Sequence, residues 1–443
     1  MNLSDLNKLD ALRHPFKRRV KHPIYLYNAF SLFTHPQPWR LMRNFSNILL
    51  TPTLLIMALF ASCNNSKPDK NGVDTLNLHW TKLGELPPGS NQDQATPNPG
   101  LAGPVAGISN GYLVVGGGSN FPKGLPWEGG RKAYHRKLYI YQLLNKENGD
   151  SAILSPALGE LPYSIGYPAC VSTAAGIVVA GGENETGPLS TVELIHIDKS
   201  QLEPQLTITS LPSLPVACSG AMIAAIGSKV YLAGGNNANG HTLGQFLLLD
   251  LTDTAKGWQP LPKLVQPTSF GVLCADQHSH TIYLAGGRKS NIQARTTFYA
   301  SLFAFNTDNQ NWSKKANLPY SVSAATGITM QGKLLFFGGD QGETFHQTED
   351  LLLKIAVAKD STEKRQLTLQ KNILQQHHPG FTRQILAYNP ALDQWKPSGK
   401  LSFASQVTTT AIAWQKGVII PCGEIRAGIR YANIIEGTIN SAP

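Results

Sequence analysis

The residues best suited to chemistry lie near the end of this 443-residue chain, in Gly423-Glu424-Ile-Arg426-Ala-Gly-Ile-Arg430. One carboxylate and two guanidiniums share this short loop. A positioned carboxylate can take and return a proton, a contribution of roughly 10²–10⁴-fold. An arginine fork fits a planar anion. The same pairing also serves as a structural ion pair, and the block alone leaves both readings open. Other chemical signatures are missing: the sequence has no GxxxxGK[ST] and no GxSxG. Cys170, Cys218, Cys274 and Cys422 form no CxxC pair and lie in or beside apolar segments, so buried free thiols are expected. His278/His280 and His377-His378 are isolated pairs on expected loops, and no metal site is expected from them.

The elements that must position these residues are repeats. Six apolar segments end on a glycine pair or its near-equivalent: VVGGG (114–118), VVAGGE (178–183), YLAGGN (231–236), YLAGGR (283–288), LFFGGD (335–340) and IIPCGE (419–424). The closing pairs recur at intervals of 64, 53, 52, 52 and 84 residues. A diglycine-ended strand with a period near fifty is the signature of kelch repeats, each repeat one four-stranded propeller blade. The expected fold is therefore all-β, a six-bladed kelch-type propeller spanning residues 76–443. In each repeat a small-residue strand comes first, at Ala169–Ala174, Gly220–Ala225, Gly271–Ala275, Ala324–Thr329 and Thr408–Trp414. The glycine-ended strand, a third apolar strand and an outer strand around Trp258, Trp312 or Trp395 follow; these tryptophans are expected to pack blades together. A stray outer strand, Leu76–Lys82 with Trp80, precedes the first repeat, and the last repeat stops after its third strand. The stray strand should complete the last blade and leave no free edge at the seam. The residues just past the glycine pairs then gather at one mouth: Asn120, Glu183, Asn236, Arg288, Asp340 and Glu424, with Arg426 beside them. Such a ring suits a sugar-sized ligand. Two long inserts, Ser119–Lys137 and the stretch from Asp340 to about Arg383, read as binding loops or lids; the second carries an apolar run at Leu351–Val357 and then a charged segment of helical character.

The net charge of +10 suggests a nucleic-acid partner until it is located. Residues 1–62 carry +6 of it, and no basic stripe interleaved with aromatics occurs, so no nucleic-acid partner is expected. From Met42 the chain reads as an export signal: Arg43, an apolar run Ile48–Phe60, then Ala61-Ser62-Cys63. Small residues directly before a cysteine resemble a bacterial lipoprotein cleavage site, which implies lipidation of Cys63. Residues 1–63 are then leader, 64–75 a polar tether, and the membrane is engaged only through the lipid, in the periplasm or cell envelope. Met42 reads as the better start.

Gly100-Leu-Ala-Gly-Pro-Val-Ala-Gly-Ile-Ser-Asn110, the glycines at 116–118, the Trp127–Tyr134 loop, the long insert after Asp340 and the Gly423–Arg430 block together resemble the N-acetylneuraminate epimerase (sialic acid mutarotase) family. The likeness runs from about Leu76 to Ile439. The Glu/Arg block comes last, as in the cyclically permuted mutarotases, and in a ring with adjacent termini this changes order but not neighbours. The resemblance implies that Glu424 and Arg430 are the catalytic pair, six residues apart. Cys422 departs from the family's glycine and removes a permissive residue from a tight turn. The implied reaction opens a cyclic hemiketal and recloses it on the other face. Glu424 would take and return the proton and Arg430 would clamp the substrate carboxylate, with no metal or organic cofactor. The implied partner is a small acidic sugar. The competing readings are a non-catalytic propeller lipoprotein that binds glycans or proteins, and a mutarotase for another acidic sugar.

Overall fold

Every glycine-ended segment is the second strand of an antiparallel blade in the computed structural model, which describes residues 78–88, 97–145, 151–153, 156–200 and 204–439. The leader, the tether and Cys63 lie outside the described residues. Blade 1 is Ala102–Ser109, Tyr112–Asn120, Lys137–Asn145 and Ala157–Glu160; blade 2 is Ala169–Thr173, Gly176–Ala180, Val192–Asp198 and Gln205–Leu211. Blade 3 is Met222–Ile226, Lys229–Ala233, Phe246–Asp250 and Gln259–Pro260; blade 4 is Val272–Asp276, Thr281–Ala285, Leu302–Asn306 and Asn311–Lys315. Blade 5 is Thr326–Met330, Lys333–Phe337, Gln384–Asn389 and Gln394–Lys400. Blade 6 takes Ile412–Trp414, Gly417–Pro421 and Asn433–Ile439 from the end of the chain and its outer strand, Leu78–Glu85, from the beginning. Trp80 stands opposite Gly437 and Leu78 opposite Ile439, so the ring closes as the stray tryptophan strand implied.

A middle strand such as Gly176–Ala180 is buried at all positions because both of its faces meet other blades, whereas the outer strand Gln205–Leu211 alternates with solvent. The apolar core is accordingly divided. The described residues form six clusters, one at each blade junction, including the seam between blades 6 and 1, where Ile412, Ile419 and Ile434 meet Leu113, Val115 and Tyr139. The tryptophans join blades, as their spacing implied. The indoles of Trp258, Trp312 and Trp395 donate to the Pro212, Pro262 and Ala316 carbonyls at the outer edge of the preceding blade. Trp80 instead packs edge-on against Phe337, with ring centroids 5.7 Å apart.

The first strands of blades 3 to 6 begin one to four residues later than their composition suggests, because the residues before them do other work. Gly103, Tyr167, Gly220, Phe270, Ala324 and Thr408 all sit in the left-handed region, at φ 50° to 62°. Each donates its amide to the carbonyl of its counterpart in the preceding blade, and Gly103 donates to Thr408, at 2.7–3.2 Å. The result is a closed hoop of six backbone hydrogen bonds around the axis. Glycine is needed twice: a Cβ on Gly103 would come 2.4 Å from the Tyr167 nitrogen, and one on Gly220 would come 2.5 Å from the Phe270 ring. The other four hold a conformation that costs an L-residue roughly 1–2 kcal/mol, which marks the axis as a strained locus.

The long insert after Asp340 is a pair of helices, α1 (Glu343–Val357) and α2 (Ser361–Gln376). The apolar run Leu351–Val357 lies within α1, and the charged segment read as helical is α2. Asp360 caps α2 by accepting from the Glu363 amide at 2.8 Å.

Candidate active site

The hoop separates two cavities, since Tyr167, Phe270, Ala324 and Thr408 line both. On one side is an axial channel of about 480 Å3 walled by the small residues of the first strands. On the other is a mouth of about 380 Å3, enclosed by post-glycine residues and by the helical pair.

Glu424 lies on the mouth wall. Its hairpin pairs Glu424–Arg426 with Ile429–Arg430, placing Glu424 directly opposite Arg430, which is why a six-residue spacing brings the two side chains together. Glu424 Oε1 accepts from the Gly428 amide at 2.8 Å and from Arg430 Nη1 at 3.0 Å. No described residue donates to Oε2. Two residues before it, Cys422 takes φ 55° where the other blades place glycine, so the turn absorbs strain close to the carboxylate. The insert of blade 1 buttresses this hairpin across the seam: Phe121 stacks under the Arg430 guanidinium at 4.6 Å, and Trp127 packs on Gly428.

Four of the predicted mouth residues converge: Glu183, Arg288, Asp340 and Glu424, from blades 2, 4, 5 and 6. The others do not. Asn120 is one residue past the equivalent position, which Ser119 occupies opposite Ala102 in blade 1, because three consecutive glycines shift the register. It is buried, donating to the Gly100 carbonyl and accepting from His135 Nε2. Asn236 turns into its own loop, bonded to Thr242 Oγ1, and Arg426 is exposed. Arg430 is 9% exposed, is not among the residues that line the mouth, and donates to Glu424.

Arg288 is one of two cations on the mouth wall, with Lys132. Its guanidinium lies 4.3 Å from the Phe270 ring centroid and 4.9 Å from that of Phe345. No hydrogen bond joins it to a described side chain. Burial weakens its hold on the proton, the Asp340, Glu349 and Glu424 carboxylates oppose that, and the group stays charged. The neighbouring carboxylates are already committed. Glu349 accepts from Thr296 Oγ1 at 2.6 Å and Asp340 from the Gly342 amide at 2.8 Å. Glu183 accepts from Tyr134 at 2.6 Å and from Lys132 at 3.3 Å. Burial lowers the proton affinity of Lys132, but Tyr167, Glu183 and Tyr134 outweigh it and raise the pKa. Burial, and then the bond to Glu183, keep the Tyr134 phenol protonated.

Sequence reasoning missed Lys132, Tyr167, Phe270, Phe345, Glu349 and His378 on this wall. Tyr167 and Phe270 could have been found by aligning the residue before each first strand. The residues of the helical pair carry no repeat signal. The four described cysteines, Cys170, Cys218, Cys274 and Cys422, are buried free thiols, with Cys170 and Cys218 pushed up to about 12 by burial, and among the described residues no group of three or more His, Cys, Asp or Glu is placed to hold a metal.

A family model described as N-acetylneuraminate epimerase matches residues 211–442, more than half of the chain and including Arg288, Asp340, Glu424 and Arg430. The chain belongs to the N-acetylneuraminate epimerase family. Among individual epimerases, that of Pasteurella multocida (strain Pm70) is 36% identical over 135 residues, covering 28% of this chain and 33% of that protein. The epimerase of Haemophilus influenzae (strain PittEE) is 22% identical over 233 residues, covering 51% of this chain and 58% of that protein. The chain thus spans between a third and somewhat over half of the length of the curated relatives it matches. The solved structure of YjhT superposes with a TM-score of 0.54 at 16% identity, over 77% of this chain and 96% of that one; this likeness is one of fold.

Proposed function

We propose that this protein is a mutarotase that interconverts the anomers of N-acetylneuraminic acid, a carboxylated ketose. The reading rests on one observation: Glu424 has one carboxylate oxygen fixed by two donors and the other without a donor among the described residues, in a mouth that also offers Arg288, whose guanidinium makes no hydrogen bond to a described side chain. Anomer exchange needs a proton removed from the anomeric hydroxyl and one delivered to the ring oxygen. Glu424 performs the first step through Oε2 and returns the proton afterwards. Arg430 keeps that oxygen aimed. Arg288 receives the substrate carboxylate, where a bidentate fork in a dry, aromatic-walled site is strongest. The test is NMR of freshly released α-N-acetylneuraminate. Wild type should shorten its equilibration, and Glu424→Gln should lose about 10²-fold or more of that acceleration. Equal rates in the two proteins would reject the assignment.

Lipid anchoring in the bacterial cell envelope belongs to the same proposal, supported by Ala61-Ser62-Cys63 after an apolar run. Cells fed labelled palmitate should label the wild-type protein and not Cys63→Ser. An unlabelled wild type would contradict it.

A further inference from the structure

Beyond α2 the chain turns at His377 and His378 before entering the third strand of blade 5. His378 lines the mouth, is 7% exposed and packs its ring on Phe381 with centroids 4.9 Å apart. The Gly380 amide lies 3.0 Å from its Nδ1. A backbone N–H only donates, so Nδ1 carries the lone pair and the proton of the neutral ring sits on Nε2. No described residue accepts from Nε2, and this nitrogen is not among the fully buried unpartnered atoms, so it keeps accessible surface on a residue that lines the cavity. Three charged groups face the ring: Asp340 from the end of blade 5's second strand, and Glu424 and Arg426 from the hairpin of blade 6. Burial lowers the pKa of the ring below its ordinary value of 6.5; the two carboxylates oppose this and Arg426 reinforces it.

We propose that His378 is a catalytic hydrogen-bond donor whose Nε2–H holds the ring oxygen of the sugar while the bond from that oxygen to the anomeric carbon breaks. This rests on the mutarotase reading. Glu424 takes the proton of the anomeric hydroxyl, the hydroxyl oxygen becomes the carbonyl of the open-chain ketone, and the electron pair of the broken C–O bond goes to the ring oxygen. The developing alkoxide is held by Nε2–H and collects the proton carried by Glu424. The imidazole keeps its own proton, since a neutral imidazole is a far weaker acid than a carboxylic acid. Closure on the other face reverses each step. A neutral histidine acting as electrophile suits a site where an imidazolium would be drawn to the adjacent carboxylates instead of the substrate.

Two variants and one spectrum test this. His378→Phe keeps a ring against Phe381 but removes the donor, and should lower kcat for anomer exchange about 10²–10³-fold with KM little changed. His378→Gln restores an N–H donor and should recover at least tenfold of that loss. Equal losses in the two variants, or a change in KM alone, would show a merely structural residue. In ¹⁵N-labelled wild type, assigned by difference from His378→Gln, His378 should show the neutral Nε2–H form at pH 7, with Nε2 shifting when N-acetylneuraminate is added. An Nδ1–H form, an imidazolium, or no shift at saturating sugar overturns the proposal. A wild type that leaves anomer exchange at its spontaneous rate removes the mutarotase reading and this role with it. An active wild type matched by His378→Phe removes only this role.

Discussion

The two arginines near Glu424 have separate duties, and kinetics should separate them. Arg288→Gln removes the charge that receives the substrate and should raise KM about 10- to 100-fold, in line with 1.5–3 kcal/mol for a hydrogen bond to a charged group. Arg430→Lys leaves that anchor intact but loses the stack on Phe121 and the Nη1 bond to Oε1, so kcat should fall about tenfold with KM steady. A KM effect from Arg430→Lys and none from Arg288→Gln would invert the assignment. At this scale the sequence was informative about residue type and poor about direction. It located Glu424, Arg288, Asp340 and Glu183, because the glycine pair fixes where the next side chain emerges. It misplaced Asn120 through one extra glycine, and it did not show that Arg430 lies off the mouth wall, because spacing does not reveal which way a hairpin side chain faces.

Between residues and ring, the helical pair is the element that makes the mouth a pocket. Phe345, Glu349, Leu352 and Gln375 come from it, and His378 follows it directly. Its dock is the hairpin Arg288–Asn291/Ala294–Phe298 of blade 4: Arg295 Nε bonds Asp350 at 2.7 Å, Thr296 bonds Glu349, and His346 Nε2 donates to the Thr296 carbonyl at 2.9 Å. The Arg295–Asp350 pair is exposed and worth about 0–1 kcal/mol; the contacts at Thr296 hold more because they are shielded. Replacing residues 343–376 by a short Gly-Ser linker should preserve a cooperative β-rich melt by circular dichroism, since none of the six blade clusters uses these helices. The same deletion should abolish the acceleration of anomer exchange. An active deletion would mean that the helices merely decorate the rim. The insert's length and position were legible, as was the helical character of its charged second half; the first helix was not, because a single short apolar run does not separate helix from strand.

For the whole molecule, stability should respond to pH through two histidines, His378 buried and His135 half-buried. Burial lowers the pKa of both His135 and His378 below 6.5, against nearby carboxylates in each case. The unfolded chain therefore binds protons there that the folded chain refuses. Stability is fully present above about pH 6.5 and declines as pH falls below it. Melting temperatures should drop between pH 7.5 and pH 5, and the drop should shrink in His135→Gln. A flat profile over that range would show that neither ring resists protonation. Ring closure was readable at this scale from the orphan strand around Trp80. The hoop was not, because backbone amides build it and six different local sequences share its geometry.

The ladder that seals blade 6 has a mechanical consequence. Leu78 is matched to Ile439 at the rim, so a pull on the chain ahead of Leu78 loads that rung first and each later rung in turn. Bonds stressed singly yield at far lower force than bonds sheared together, so the first fracture under tension would be a peeled ribbon, with the hoop and the mouth residues of blades 2 to 5 still in place.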